Sequence, residues 1–253
     1  TKFILRISGY PQMNFFRKIL WKLAFKKIHA VTCPTKLTQE YILSLNIIDK
    51  SKVHLLYDPI IEIKKKIKIK SENIAEENNF FLSVGRLTKQ KNFLFLCQCF
   101  KTLKDENKLD SKLLIAGEGE QKKILSRYIK QHNLQKNIYL IGHKENIYNY
   151  MTRAKALILC SLWEDPGFVL LESAFSRTII ISSDCNNGPK EFLKNGLNSF
   201  VFRSNDEKSF LETFNRFGQC SHENINSMKI HALKLTKKFS LFQHYKKLKN
   251  IFN

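Results

Sequence analysis

Apolar residues along this chain alternate between short continuous runs and longer stretches in which every third or fourth position is apolar. The first pattern predicts buried strands and the second predicts amphipathic helices. Up to Pro59 the reading is strand 3–8, helix 14–27, strand 29–33, helix 35–45 and strand 52–57, closed by Asp58-Pro59. In helix 14–27, Phe15, Ile19 and Leu23 supply an apolar face and Lys26-Lys27 a basic one. Residues 61–79 are polar, charged and weakly periodic, the composition of an interdomain linker. A second alternation then predicts strands 80–85, 111–117, 138–142, 156–161, 178–182 and 199–202. Its helices are 92–106, 120–132, 147–154, 168–175, 189–194, 206–217 and 223–238, with a last helix over 241–252 after a break at Phe239-Ser240. Strands apolar at every position belong to parallel sheets covered on both faces. The expected fold is therefore α/β, with two parallel-sheet units and ligands bound beyond the carboxyl ends of the strands.

Composition narrows this picture. The chain has 253 residues, 43% hydrophobic and 26% charged, which is the balance of a folded globular protein. No apolar run approaches the roughly 20 residues of a membrane-spanning helix. The sequence opens in what reads as mid-strand, without an initiator Met or a leader, so further chain is expected before Thr1. The net charge of +21 is spread along the chain, and abundant Lys, Asn, Ile and Phe are what AT-rich codons encode. Its densest cluster, from Lys64-Lys65-Lys66 to Lys70, falls in the linker and carries no nucleic-acid-binding signature. Nucleic acid is not an expected partner, whereas attraction to an anionic membrane face is. The six cysteines form no C-x-x-C pair and no metal spacing, so scattered buried thiols in a reducing, cytoplasmic setting are expected.

Three strand-to-helix loops carry candidate chemistry. In the first, Ser161 to Glu172, a buried strand ends in a turn bearing Glu164, Asp165, Pro166 and Gly167, and a helix begins near Phe168. Open amides at a helix start bind anions, and carboxylates accept hydrogen bonds from sugar hydroxyls. A capped helix with incidental acids explains the same residues about equally well. In the second, Gly85-Arg86-Leu87 leads through Lys91 to Asn92, a candidate N-cap. Arg86 and Lys91 stand where they can reach a diphosphate, although two solvated cations are the simpler reading of that loop alone. The third, Gly117-Glu118-Gly119, is a G-x-G that lacks the third glycine of a dinucleotide fingerprint, since Lys122 stands there.

In this order, these residues resemble the retaining glycosyltransferases of family 4, within the GT-B superfamily of "glycosyl transferases group 1". The shared pattern is Gly85-Arg86-Leu87 with Lys91, then Gly117-Glu118-Gly119, Ile141-Gly142 and Glu164 with Glu172 at Glu-x7-Glu spacing. Gly188-Pro189-Lys190-Glu191 and Asn195-Gly196 follow. The resemblance implies two Rossmann-like domains. Residues 1–60 would end an incomplete acceptor-binding domain, 61–79 link, 80–239 bind the donor, and 240–253 cross back. It implies that Arg86 and Lys91 bind a donor diphosphate and that Glu164 holds hydroxyls of the transferred sugar. Gly85 and the segment Gly167, Phe168 and Val169 would support donor binding, and Glu172 would hold the ribose. Gly117, Gly119, Ile141 and Gly142 would line the nucleoside pocket. It further implies transfer with retention of configuration from a nucleotide-sugar to a glycan or lipid-linked acceptor, as in surface polysaccharide or lipopolysaccharide synthesis. No cofactor or metal is then expected, and the setting is the inner face of the membrane.

The chain departs from the family pattern in two places. Glu164-Asp165-Pro166-Gly167 replaces the commoner Glu-Gly-Phe-Gly, and strand 3–8 offers Arg6 and Ser8 where relatives often carry a His. His143 is the histidine nearest the expected pocket. Trp163 and Phe168 are expected to pack the loop, and Asn186-Asn187 to form a turn that could also approach the donor. A non-catalytic sugar-nucleotide or glycan-binding module and a nucleotide-sugar epimerase are the alternative readings.

Overall fold

Strands without a polar face need cover on both sides, and this chain supplies a helix after nearly every strand. The structure, a computed structural model, describes residues 1–7, 9, 11, 13–61 and 79–252. Most of the expected linker and Ser8 lie outside the described residues. The first unit runs β1 (Ile4–Arg6), α1 (Phe15–Lys26), β2 (Ala30–Cys33), α2 (Lys36–Ser44) and β3 (Val53–Leu55). Its strands form one parallel sheet in the order β1-β2-β3. Both helices start on side-chain caps: Asn14 accepts from the Arg17 amide and Thr35 from the Thr38 amide.

The second unit begins with β4 (Phe80–Val84), α3 (Phe93–Asp105), β5 (Lys112–Ala116), α4 (Lys122–Gln131), β6 (Ile138–Gly142) and α5 (Ile147–Arg153). It continues with β7 (Leu157–Leu159), β8 (Trp163–Glu164), α6 (Phe168–Phe175), β9 (Ile180–Ser183), β10 (Asn186–Asn187) and α7 (Gly188–Phe192). β11 (Phe200–Phe202), α8 (Glu207–Gly218), α9 (His222–Thr236) and α10 (Leu241–Phe252) complete it. Six strands make a parallel sheet in the order β11-β9-β7-β4-β5-β6. Alternate residues feed two cores, one on each face. Phe81, Leu113, Ile115, Ile158 and Ile181 enter one cluster, while Phe80, Leu82, Leu114, Leu157 and Ile180 enter the other. The chain winds outward from β4 through β5 to β6, then returns to β7 on the other side. The order thus reverses between β4 and β7, and a crevice opens where their carboxyl-end loops part.

Local details differ from the sequence expectation in two places, at Asn92 and on α1. Asn92 occupies the N-cap position of α3 in a left-handed conformation, without a side-chain cap, and its side-chain Nδ2 donates instead to Asn205 Oδ1. Cys97 and Cys99, two apart on α3, are both fully buried, as expected of these thiols, because that helix is covered on both flanks. On α1 the predicted apolar face, Phe15, Ile19 and Leu23, is exposed, and the helix packs inward through Phe25 and Trp21.

The two sheets meet along a seam built on Tyr57. Its ring lies 4.7 Å from that of Phe239 and its hydroxyl donates to Glu191 Oε1 at 2.8 Å. The other Glu191 oxygen accepts from the Lys36 amide at the start of α2. Burial, then the Glu191 carboxylate, push the Tyr57 phenol well above its ordinary value. The last helix returns to the first sheet, where His244 Nδ1 meets the Tyr57 carbonyl at 2.7 Å and His29 Nε2 the Ile251 carbonyl at 3.0 Å. No helix among the described residues is long and apolar enough to cross a membrane.

Close backbone contact sets the crevice walls. A Cβ on Gly117 would fall 1.9 Å from the Gly85 carbonyl oxygen, at a φ of +144°. Gly117→Ala should therefore cost about 2 kcal/mol or more and lower Tm by roughly 5–10 °C. Gly218→Ala, where a Cβ meets nothing within 4 Å, serves as the control and should leave Tm unchanged or slightly raised in a thermal melt.

Candidate active site

The crevice between the β4 and β7 loops is a cleft of about 820 Å³. Gly85, Arg86 and Lys91 line it from one side, and Glu164, Gly167, Phe168, Val169 and Glu172 from the other. Residues 73 to 87 positions apart in sequence thus share one cavity. Parallel strands place their loops at a common edge, which is why they meet.

Lys91 and Glu164 form the floor. Lys91 Nζ stands 2.5 Å from Glu164 Oε1, and the same oxygen accepts from Ser161 Oγ at 2.5 Å. Glu164 is 4% exposed. A carboxylate this buried needs its charge balanced, and the lysine and the hydroxyl together do so. The two loops are tied again by Gln90, whose side chain donates to the Trp163 carbonyl and whose own carbonyl accepts from the Leu162 amide. Arg86 is exposed and makes no ion pair among the described residues, leaving its guanidinium open to the cleft. Glu172, one turn into α6, accepts from the Tyr148 hydroxyl at 3.4 Å.

A two-stranded parallel ribbon, β8 with β10, supports the acidic loop. Asn186 registers with Trp163 and Asn187 with Glu164. Directly after it, a Cβ on Gly188 would sit 1.5 Å from the Pro166 carbonyl oxygen, so only glycine permits the loop to rest there. The first turn of α6 follows Gly167, and the helix N-terminus supplies partial positive charge at the cleft wall.

Among the remaining expected residues, Gly117 lines a second, adjoining cleft of about 400 Å³. That cleft shares Val84, Gly85 and Arg86 with the first and is also lined by Glu118 and His143. Gly119, Ile141 and Gly142 line neither. Gly119 packs against the backbone of Leu87, and the Gly142 carbonyl accepts from the Gly117 amide, so both shape the cleft from behind. Trp163 and Phe168, expected to pack the loop, are instead 53% and 42% exposed at the cleft. Arg6 is engaged by Asp58, donating from Nε at 2.8 Å and Nη2 at 2.5 Å.

Sequence reasoning gave no role to Gln90 or Asp165, and left Asn187 between a turn and an approach to the donor. All three line the cleft. Burial pushes the Asp165 carboxyl up to about 6; Arg6 opposes this, while Asp58 and Glu164 add to it. The departure from Glu-Gly-Phe-Gly was the available signal for Asp165.

Comparison with known proteins follows the same residues. The family described as "Glycosyl transferases group 1" matches residues 64–234, more than half of the chain. An uncharacterized glycosyltransferase of Methanocaldococcus jannaschii, MJ1059, is 31% identical over 212 residues, covering 78% of this chain and 52% of that protein. The UDP-Gal:alpha-D-GlcNAc-diphosphoundecaprenol alpha-1,3-galactosyltransferase of Escherichia coli is 27% identical over 264 residues, covering 97% of this chain and 67% of it. A TarM variant from S. aureus, solved with Fondaparinux, alpha-GlcNAc-glycerol and UDP, superposes with a TM-score of 0.81 at 17% identity. That alignment covers all of this chain and 51% of TarM. The chain spans about half the length of several such relatives.

The floor pair generates a direct test. Lys91→Met leaves the buried Glu164 carboxylate without its counter-charge and should cost about 3 kcal/mol. Lys91→Met combined with Glu164→Gln removes the charge as well and should recover most of that loss in urea denaturation. With Glu164→Gln alone as the third variant, a double-variant loss equal to the sum of the two single losses would show that the two side chains are not coupled.

Proposed function

From the premise that the chain belongs to the glycosyl transferases group 1 family and has the GT-B architecture, we propose that its cleft binds a nucleotide-sugar and transfers the sugar to a glycan or lipid-linked acceptor. The observation that carries this reading is the juxtaposition, in one cavity, of two cations, a helix N-terminus and the carboxylates of Glu164 and Glu172. Cations and open amides suit a diphosphate; acceptor-only carboxylates suit the hydroxyls of a sugar and a ribose. The adjoining cleft lined by Gly117 and His143 is assigned to the nucleobase.

In this reading, the bond from the anomeric carbon to the diphosphate oxygen breaks, and its electron pair passes to the departing phosphate. Arg86, Lys91 and the α6 amides stabilise the charge that grows there. The acceptor hydroxyl oxygen bonds to the anomeric carbon, and its proton goes to the departing phosphate. Lys91 turns from Glu164 toward phosphate as the donor enters, which frees the Glu164 carboxylate for a sugar hydroxyl. The cationic side chains carry the neutralisation, so transfer should survive EDTA. We further propose retention of anomeric configuration, on the strength of the Glu-x7-Glu resemblance, and a lipid-linked acceptor, by analogy with the diphosphoundecaprenol-linked substrate in the E. coli relative's name. The anomeric coupling constant of the product in proton NMR tests the former, and an inverted product overturns it. The epimerase and non-catalytic readings are not favoured by the family membership.

A thermal-shift screen against UDP, GDP, ADP and their sugar conjugates tests the donor site. UDP is the first choice because the S. aureus structure holds it. A saturating match should stabilise the protein by about 2.7 kcal/mol at a hundredfold excess over Kd. Arg86→Ala should leave the free protein's Tm unchanged, because the side chain is exposed, yet lower kcat about 10²-fold or more. Glu172→Ala should weaken nucleotide binding. No shift with any nucleotide, from a folded sample, overturns the proposal.

A further inference from the structure

Asp165 marks the departure from the commoner family loop, and the mechanism above does not use it. Both of its carboxylate oxygens are buried without a hydrogen-bond partner. Asn187 Oδ1 is in the same condition. Among the described residues only one other buried side-chain atom, Thr88 Oγ1, shares it. Asp165 and Asn187 both line the main cleft, and the β8–β10 ribbon brings them together by pairing Asn187 with Glu164, the residue before Asp165. Folded proteins seldom leave such oxygens unsatisfied, because each gives up its water contacts for nothing. Where they gather in a cleft, a ligand rich in O–H or N–H groups is the natural partner.

The direction in which Asp165 faces identifies that partner. Glu164 turns to Lys91 and Ser161, within the second sheet. Asp165 turns the other way: a Cβ on Gly9, in the segment after β1, would fall 3.3 Å from its Oδ2. The charged groups that act on it are Arg6 and Asp58 from the first sheet and its neighbour Glu164. Arg6 is already forked by Asp58, so it does not satisfy the carboxylate.

We propose that Asp165, with the amide oxygen of Asn187, forms a subsite for hydroxyl groups of the acceptor sugar, on the side of the cleft that faces Gly9 and the first sheet. This rests on reading the cleft as a transferase site. An ionised carboxylate only accepts hydrogen bonds, so it selects hydroxyls and rejects phosphate or carboxylate groups by charge. Acceptor hydroxyls supply the donors that these oxygens do not find within the protein.

Asp165→Asn, which keeps the shape and removes the charge, tests the subsite through three readouts. Burial raises the wild-type carboxyl to about 6, so the folded protein binds its proton more tightly than the unfolded chain does. The stability of wild type relative to the variant should therefore fall as pH rises from about 4 through 6. Asp165→Asn should then melt above wild type at pH 7.5 and converge with it near pH 4. Binding of UDP or whichever nucleotide the wild type prefers should change less than twofold. Transfer to a synthetic lipid-diphosphate-linked N-acetylhexosamine should lose about 10- to 100-fold in kcat/KM, mostly as a higher acceptor KM. A variant that melts below wild type makes Asp165 structural and overturns the proposal. So does unchanged transfer, or nucleotide binding weakened as much as transfer. A wild-type protein that binds no nucleotide overturns the underlying reading of the cleft instead.

Discussion

One buried ion pair organises this structure. Lys91 and Glu164 come from loops after two different strands, and their contact of 2.5 Å closes the crevice that the sheet's topology opens. Removing two charges from water is costly, and well-packed apolar residues often stabilise such a position better. The pair is therefore poor as a fastening and well suited to exchange. In the proposed reading, an incoming diphosphate would offer the ammonium a second anion, sugar hydroxyls would offer the carboxylate new donors, and each partner would keep its hydrogen bonds with the ligand held between them. The neighbouring Ser161 hydroxyl donates to the same Glu164 oxygen as Lys91.

Rigid backbone contacts surround that exchangeable pair. Gly117 lies on Gly85, and Gly188 lies on Pro166, at separations that no side chain could share. They fix the edges of the cleft while leaving its floor free to change partners. The seam carries this order to the first sheet. Glu191, three residues after Gly188, caps α2 through the Lys36 amide and accepts from Tyr57. The glutamate of the Gly-x-x-Glu motif thus acts at the junction between the sheets, and Asp165 faces that same junction from inside the cleft.

Much of the fold was legible because buried parallel strands print themselves as continuous apolar runs. Phe80–Val84, Lys112–Ala116 and Ile138–Gly142 lie within a residue of their expected limits. The β8–β10 ribbon was not legible, since two-residue strands have no period to read. The sequence suggested Lys91 and Glu164 as separate ligands for phosphate and sugar. Their mutual pairing depends on which strands are neighbours, and one sequence does not state strand order. Trp163 and Phe168 were misjudged for a related reason: an apolar residue in a loop reads as packing until the cavity beside it is seen. The exposed Phe15, Ile19 and Leu23 show the reverse limit, since periodicity finds an apolar face without saying what meets it.

The account turns on exchange at the floor of the cleft. The most direct measurement is a crystal structure of the protein with a non-transferable analogue of the nucleotide-sugar it binds. The account predicts Lys91 Nζ within hydrogen-bond distance of a diphosphate oxygen, Glu164 on a hydroxyl of the sugar, and Glu172 on the ribose. A nucleotide bound elsewhere, or bound here with Lys91 still closed on Glu164 and remote from phosphate, would contradict it.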